Sequence, residues 1–287
     1  MPELPEVETV RRGLAAAAIQ TPVIGIWRSK LKLRTGAHWQ REGLKRLVGS
    51  TPQEVSRRGK YLIWEFAKPG SKPLGFLIHL GMTGRCGVVG ADAPRAKHTH
   101  VVVSFSSGQQ LRFVDPRRFG GVRVDTLAKI LSAAPVGLLG PEPLDAGFSG
   151  EVLRERLGTS KRVIRDALLD QRAVAGIGNI YAIEALYRAR IYPLVAARRL
   201  RPQAWARLAQ SLANVLRIGV ENGGTTLKDF RNVSGEVGRN QDDLRIYGRT
   251  GDPCPGCGTA IESAVHGGRT LMWCPFEQAR PRSRWVS

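Results

Sequence analysis

The hydrophobic pattern of this chain changes period once, near its middle, and that change limits the possible folds more than any other feature. From Val23 to about Asp125 short β-rich runs recur, "VIGIW", "YLIWEF", "GFLIHL", "HVVVSF" and "QLRFVD", with turn signals such as "KPGSKP" and "SSGQQ" between several of them. Such spacing predicts an antiparallel sandwich or barrel. One helix precedes it, because Leu4, Val7, Val10 and Leu14 fall at helical spacing with Pro5 in the first turn. The Pro- and Gly-rich stretch 133–149 reads as a linker. Beyond it the period is helical. Trp205, Leu208, Leu212, Val215 and Gly219 trace one face, Pro202 opens that helix, and Gly223 with Gly224 closes it. "VIRDALLDQ" and "NIYAIEALYRARI" read as two helices joined by the tight "AGIGN" turn, and the last forty residues return to β, with "AIESAV" and "RTLMWC" flanking "HGG" as a hairpin. The predicted class is α+β: an N-terminal antiparallel β-sandwich with its helix over 1–132, a linker over 133–149, a helical domain over 150–240, and a β-hairpin finger with a basic tail over 241–287.

Charge selects the partner. With 44 Lys and Arg against 24 Asp and Glu the chain carries +20, an excess that points to a polyanion, since each phosphate neutralised releases condensed counterions. No apolar run approaches the ~20 residues of a membrane span, and "MPELPEVE" is acidic where a secretory signal is basic and then apolar. The expectation is a cytoplasmic, monomeric protein without a membrane partner. Among four cysteines, Cys254, Cys257 and Cys274 stand at metal-ligand spacing and Cys86 stands alone as a small buried hydrophobe, which argues against a disulfide framework.

Two local features carry chemistry. Removal of Met1 would expose the secondary amine of Pro2, whose pKa near that of an α-amino group, about 8, leaves a neutral fraction able to attack an anomeric carbon. The resulting iminium cannot lose its charge at nitrogen and acts as an electron sink, and Glu3 and Glu6 lie within reach to move protons. The same "PELPEVE" also reads as an ordinary helix start, with acids complementing the helix dipole. The second feature is C-x2-C followed by C, a zinc-ribbon spacing whose fourth ligand position holds Glu277. His266 cannot substitute, because eight extended residues, about 26 Å, separate it from Cys274. Carboxylates do bind zinc, so Zn2+ held by Cys254, Cys257, Cys274 and Glu277 and a metal-free finger are both open. In the metal-free form Ile261 and Val265 would face Leu271 and Trp273 across the strands.

Taken in order, "PELPEVETVRRGL", "HLGMTG", "DPRRFG", "LGPEPL", "GIGNIYAIEAL", "GGTTLKDF" and "YGRTGDPCPGCG" resemble the formamidopyrimidine-DNA glycosylase family across nearly the whole chain. The resemblance implies a helix-two-turn-helix module in the helical domain, and a bifunctional DNA glycosylase and AP lyase acting on oxidised purines in double-stranded DNA without an organic cofactor. It makes Pro2 the Schiff-base nucleophile, Glu3 the general acid/base and Lys60 the lysine of β-elimination. By itself Lys60 is only a strand-end charge. The resemblance further makes Met82, Arg117 and Phe119 the side chains that fill the void left by an extruded nucleotide, and His98 and Asn179 contacts to DNA. Lys161 and Arg165 become phosphate contacts, and Arg269, at the fingertip, assists δ-elimination. Two positions depart from the family pattern: Ile183 stands where a small polar residue is common, and Asn240 precedes Gln241 where an aromatic is frequent. The rival readings are an endonuclease VIII-type enzyme for oxidised pyrimidines, against which "PELPE" speaks, and a non-catalytic damage-binding protein, which would need neither Pro2, Glu3 nor Lys60.

Overall fold

The computed structural model describes residues 1–33, 40–226 and 237–280. Leu227 to Phe230 of the "GGTTLKDF" motif and the basic tail after residue 280 therefore lie outside the described residues. Packing divides the chain into two units, Met1–Leu138 with Gly219–Gln241, and Leu139–Ile218 with Asp242–Ser287.

The first unit begins with α1 (Leu4–Ala16), whose start is fixed by a capping box: the Glu3 N–H donates to Glu6 Oε2 at 2.7 Å. Leu4, Val7, Val10 and Leu14 are buried, as their spacing predicts. Among the described residues nine strands follow: β1 (Val23–Arg28), β2 (Gln40–Glu42), β3 (Thr51–Arg58), β4 (Tyr61–Ala67), β5 (Leu74–His79), β6 (Arg85–Gly90), β7 (Thr99–Phe105), β8 (Gln109–Val114) and β9 (Gly121–Thr126). They form a four-stranded sheet in the order β1-β7-β8-β6 and a five-stranded sheet in the order β2-β9-β5-β4-β3. Every pairing is antiparallel except that of β2 with β9.

One apolar cluster joins Val23, Val101, Phe105 and Phe113 of the first sheet, Leu62, Trp64, Phe66 and Phe76 of the second, and Val7, Val10 and Leu14 of α1. Each such side chain contributes about 1.5–3 kcal/mol by leaving water. Ile63 and Leu77 point to the other face of their sheet, where Val136 and Ile130 of α2 (Leu127–Ser132) cover them. That second cover explains why β4 and β5 read as nearly continuous apolar runs rather than alternating ones.

The second unit holds α3 (Gly150–Leu157), α4 (Ile164–Leu168), α5 (Asn179–Arg188) and most of α6 (Pro202–Glu221), then the hairpin of β10 (Glu262–His266) and β11 (Arg269–Trp273). The stretch that reads as a linker is fastened from Gly140 onward: Gly140 N–H donates to the Gln171 carbonyl and Ala175 N–H to that of Pro141. A β-carbon at Gly140 would lie 2.5 Å from the Ala173 carbonyl oxygen, so only glycine allows this approach. On α6 Trp205, Leu208, Leu212 and Val215 are buried together, the face the sequence predicts.

Glu184 of α5, 2% exposed, anchors the segment leading to the finger. Its Oε1 accepts the amides of Arg245, Ile246 and Tyr247 at 3.1, 3.0 and 2.9 Å. Ile183 beside it packs with Ile246, Leu271 and Trp273, which explains an apolar side chain at that position.

The hairpin register corrects the expected apolar face. Ala264 pairs with Leu271 and Val265 with Thr270, so Val265 lies on the opposite face and is 73% exposed. Leu271 and Trp273 pack with Ile183 of α5, with Ile246 and, as expected, with Ile261. Replacing Glu184 with Ala removes the shared acceptor of three amides, of which that of Ile246 is buried and costs about 1–3 kcal/mol when unsatisfied. Hydrogen exchange at Ile246 and Tyr247, read by mass spectrometry, should accelerate roughly tenfold or more, with Glu184→Gln intermediate; unchanged exchange would refute the anchoring role.

Candidate functional site

The head of α1 is buried. Pro2 is buried, and Glu3 and Glu6 are 3% and 2% exposed. Glu6 Oε1 accepts the Thr225 N–H at 2.7 Å while its Oε2 holds the Glu3 amide. Gly224, at φ 86, presses on the same carboxylate so closely that a β-carbon would come within 3.0 Å of Glu6 Cγ. Both Glu6 oxygens are thus engaged by main-chain donors, which makes Glu6 an anchor, and the Glu3 side chain accepts the Glu6 N–H in return as the other half of the capping box. Asn240, 3% exposed, ties the same region: its Nδ2 donates to Thr225 Oγ1 at 2.7 Å and its N–H to the Gly224 carbonyl. The amide at 240 is therefore a closure of the chain around residues 225 and 240.

Lys60 sits in the two-residue turn joining β3 to β4, where Gly59 at φ 56 supplies the left-handed conformation. Its side chain is only 5% exposed, an uncommon setting for an ammonium group. His79, at the end of β5, feels that charge. Burial, reinforced by Lys60 and opposed by Asp115, lowers its pKa from 6.5 to about 4, so the ring is neutral at physiological pH. The Tyr61 ring lies 4.9 Å from it.

Met82, Arg117 and Phe119 come from two loops that the structure binds together. Gly81, at φ 64, lies against the main chain of Phe119 and Gly120, where a β-carbon would come within 2.4 Å of the Phe119 carbonyl carbon. The fully buried Asp115 carboxylate completes the join, with Oδ1 accepting the Thr83 hydroxyl at 2.6 Å and Oδ2 the Gly120 N–H at 2.7 Å. The Thr83 hydroxyl in turn accepts the Arg117 N–H at 3.2 Å. On this base Met82 is 39% exposed and Arg117 stands 5.0 Å over the Phe119 ring. His98 is exposed in a left-handed conformation, φ 66, and its carbonyl accepts the Asp115 N–H. His100, by contrast, is fully buried and satisfied by Ser29 and the Asp115 carbonyl.

In the second unit a network of side chains sets the fingertip. Gly267 and Gly268, at φ 57 and 71, form the two-residue turn, and Arg269 opens β11 opposite His266, exposed. Arg165, 1% exposed, donates from Nη2 to the His266 carbonyl at 2.7 Å and pairs through Nη1 with Asp166 at 3.0 Å, while the other Asp166 oxygen meets His266 Nε2 at 3.1 Å. Arg162, Arg165 and Arg269 line an open basin of about 360 Å³ together with Asp170 and Asp166, which pair with Arg162 and Arg165 and leave Arg269 as the cation of the basin outside these ion pairs. Asn179, the first residue of α5, donates to the Thr270 carbonyl at 2.9 Å. Lys161 is exposed before α4. Arg165 and Asn179 therefore brace the finger directly. The Asp166–His266 pair has no motif that marks it in the sequence.

The sulfurs of Cys254, Cys257 and Cys274 lie within 4.8 Å of one another. Three converging thiols fit a thiophilic divalent cation such as zinc. The Glu277 carboxylate stands outside that tight group, its Oε2 paired with Arg190 Nε at 2.9 Å. Cys86 is buried elsewhere, its thiol pushed up to about 12 by burial.

Two predictions follow from this geometry. Asp115→Ala removes the shared acceptor of both loops, and the variant should lose on the order of 3 kcal/mol of stability, measured as the shift of the denaturant midpoint. His79, whose pKa is lowered from 6.5 to about 4 on folding, leaves the unfolded state binding the extra proton between those values. Stability therefore falls as pH drops through that window, and His79→Gln should flatten the acid limb of thermal unfolding curves.

Comparison with known proteins places this geometry. The formamidopyrimidine-DNA glycosylase N-terminal domain matches residues 1–122, and the H2TH domain of the same enzymes matches residues 139–231. A formamidopyrimidine-DNA glycosylase of Bacillus licheniformis is 39% identical, covering 96% of this chain and 98% of its own. That of Herpetosiphon aurantiacus is 41% identical over 97% of this chain and 100% of its own. Among solved structures, Lactococcus lactis Fpg in complex with DNA containing an abasic site superposes with a TM-score of 0.85 at 34% identity, covering 97% of this chain and 100% of that one. MutM in complex with DNA containing carbocyclic 8-oxo-G gives 0.85 at 35% identity with the same coverage.

Proposed function

The chain belongs to the formamidopyrimidine-DNA glycosylase family, and on that premise we propose that it is a bifunctional glycosylase and AP lyase of base excision repair, removing 8-oxoguanine and formamidopyrimidines from double-stranded DNA in the cytoplasm as a monomer. The observation that carries this reading is the Pro2–Glu3 pair buried at the capped head of α1, with Glu6 locked beside it by main-chain amides.

With Met1 cleaved, the Pro2 nitrogen is a secondary amine at the positive end of a 13-residue helix, where the dipole favours its neutral form. Its lone pair attacks the anomeric carbon of the extruded nucleotide as the bond to the damaged base breaks, the departing base takes up the proton that the amine gives up, and Glu3 supplies the proton the sugar oxygen needs as the ring opens to the iminium. The iminium then draws electrons from the adjoining carbon. A proton leaves there, the bond to the 3′ phosphate oxygen breaks, and a second elimination releases the 5′ phosphate. Water returns the proline. Lys60, buried beside the neutral His79, supplies a fixed positive charge for the departing phosphate.

Met82, Arg117 and Phe119 fill the vacated stack, the thioether and ring as wedges and the guanidinium as donor to the orphaned base. His98, Asn179, Lys161 and Arg269 take phosphates, while Arg165, expected from the resemblance to be one of these contacts, is buried and paired with Asp166 and instead holds the fingertip that carries Arg269. A zinc ion in the finger would serve structure, held by Cys254, Cys257 and Cys274.

Borohydride reduction on a duplex carrying 8-oxoguanine opposite cytosine should yield a stable covalent complex, whose peptide map places the adduct on Pro2. A Pro2→Gly variant of equal yield should trap at least tenfold less. Undiminished trapping in that variant would overturn the assignment of the nucleophile, and absence of any adduct would overturn the lyase.

A further inference from the structure

Facing the three thiols is a helix end in an unusual state. Arg190 follows α5 with φ 56, in the left-handed region. Glycine takes that conformation at helix ends without penalty, whereas a side chain there costs about 1 kcal/mol. The Arg190 side chain is 71% exposed, yet its Nε lies 2.9 Å from Glu277 Oε2. An exposed ion pair returns about 0–1 kcal/mol, so stability alone does not account for arginine at this position. The pair does orient the carboxylate. With Oε2 on Arg190, Oε1 lies toward Gly256, where a β-carbon would sit 3.4 Å from it and 3.8 Å from Cys254 Sγ. The atom nearest that point is the Tyr187 hydroxyl, 3.1 Å away, which itself meets Cys254 Sγ at 3.3 Å, so a side chain at residue 256 would crowd the carboxylate, the hydroxyl and the sulfur together. Glu277 is also fixed to the cluster by its main chain, its N–H donating to Cys274 Sγ at 3.4 Å.

We propose that Arg190 is a positioning residue of the finger's metal site, holding Glu277 by Oε2 so that Oε1 serves as fourth donor to a thiophilic divalent cation on Cys254, Cys257 and Cys274. The proposal rests on the reading that the finger holds a metal. Three thiolates and a carboxylate place four negative charges around a dication, and the guanidinium offsets part of that excess while fixing the carboxylate, the work that outer hydrogen-bonding partners do for metal ligands in general. Glu277 lies outside the group of sulfurs that are mutually within 4.8 Å; rotation of its own side chain about the Arg190 contact is the movement the proposal requires.

Arg190→Gly separates this role from a structural one, because it deletes the guanidinium and relieves the left-handed strain together. The metal-free variant should melt no lower than the parent, while its zinc affinity, measured by competition with a chromophoric chelator, falls roughly tenfold to a hundredfold. Glu277→Gln should weaken zinc similarly, and in both variants the d–d absorption of the cobalt-substituted protein should shift from that of the parent. Glu277→Cys should bind zinc tightly whether residue 190 is Arg or Gly. Equal zinc affinity and equal cobalt spectra in parent and Arg190→Gly would overturn the proposal while leaving the metal finger standing. A parent that binds no zinc would overturn the metal reading and this proposal with it.

Discussion

A carboxylate taken out of water needs donors that do not move, and in this protein the donors are main-chain amides. Glu6 holds the amides of Glu3 and Thr225, Asp115 that of Gly120 together with the Thr83 hydroxyl, and Glu184 those of Arg245, Ile246 and Tyr247. Each buried charge is placed where a segment carrying exposed chemistry leaves the scaffold: the amino terminus, the Met82 and Arg117 loops, and the approach to the finger. The sheets and helices give the surroundings their rigidity, but these three contacts decide where the working segments start.

The cations sort by the same logic. Arg57 meets Glu8, Arg123 and Lys129 meet Asp125, and Arg165 meets Asp166, so a share of the +20 charge is tied into local structure. Arg117, Lys161 and Arg269 stay exposed. The electrostatic pull toward a polyanion is general, while the residues that register it are few and are aimed by neighbours that are not themselves basic.

Much of this was legible in the sequence, for reasons that can be stated. Strands buried on one or both faces announce themselves, as β4, β5, β7 and β8 do, and the heptad-like spacing of α1 and the single face of α6 are equally plain. β2, β3, β6 and β9 were silent because they are short, polar or broken by Gly and Pro; "TPQEVSRR" and "RCGVVG" pack through one or two side chains each. At the candidate site, the resemblance pointed to Pro2, Glu3 and Lys60, whose burial the fold then supplied. Asp115, His79 and Arg190 were hidden, since their placement depends on a loop crossing, a strand pairing and a backbone angle that no local pattern encodes. Val265 shows the converse: an apolar residue two positions from a turn follows the register of the turn, and the register turned it to solvent.

The chain passes from the first unit to the second, back at Gly219, and out again at Asp242. The return segment brings Thr225 to the buried Glu6 carboxylate and Asn240 to Thr225. No single cut can therefore release the amino-terminal unit whole. A gene fragment ending near Leu138 would encode a sandwich whose amino-terminal helix carries an acid with one donor missing. Any split that keeps the amino-terminal unit whole has to carry residues 219–241 along with residues 1–138.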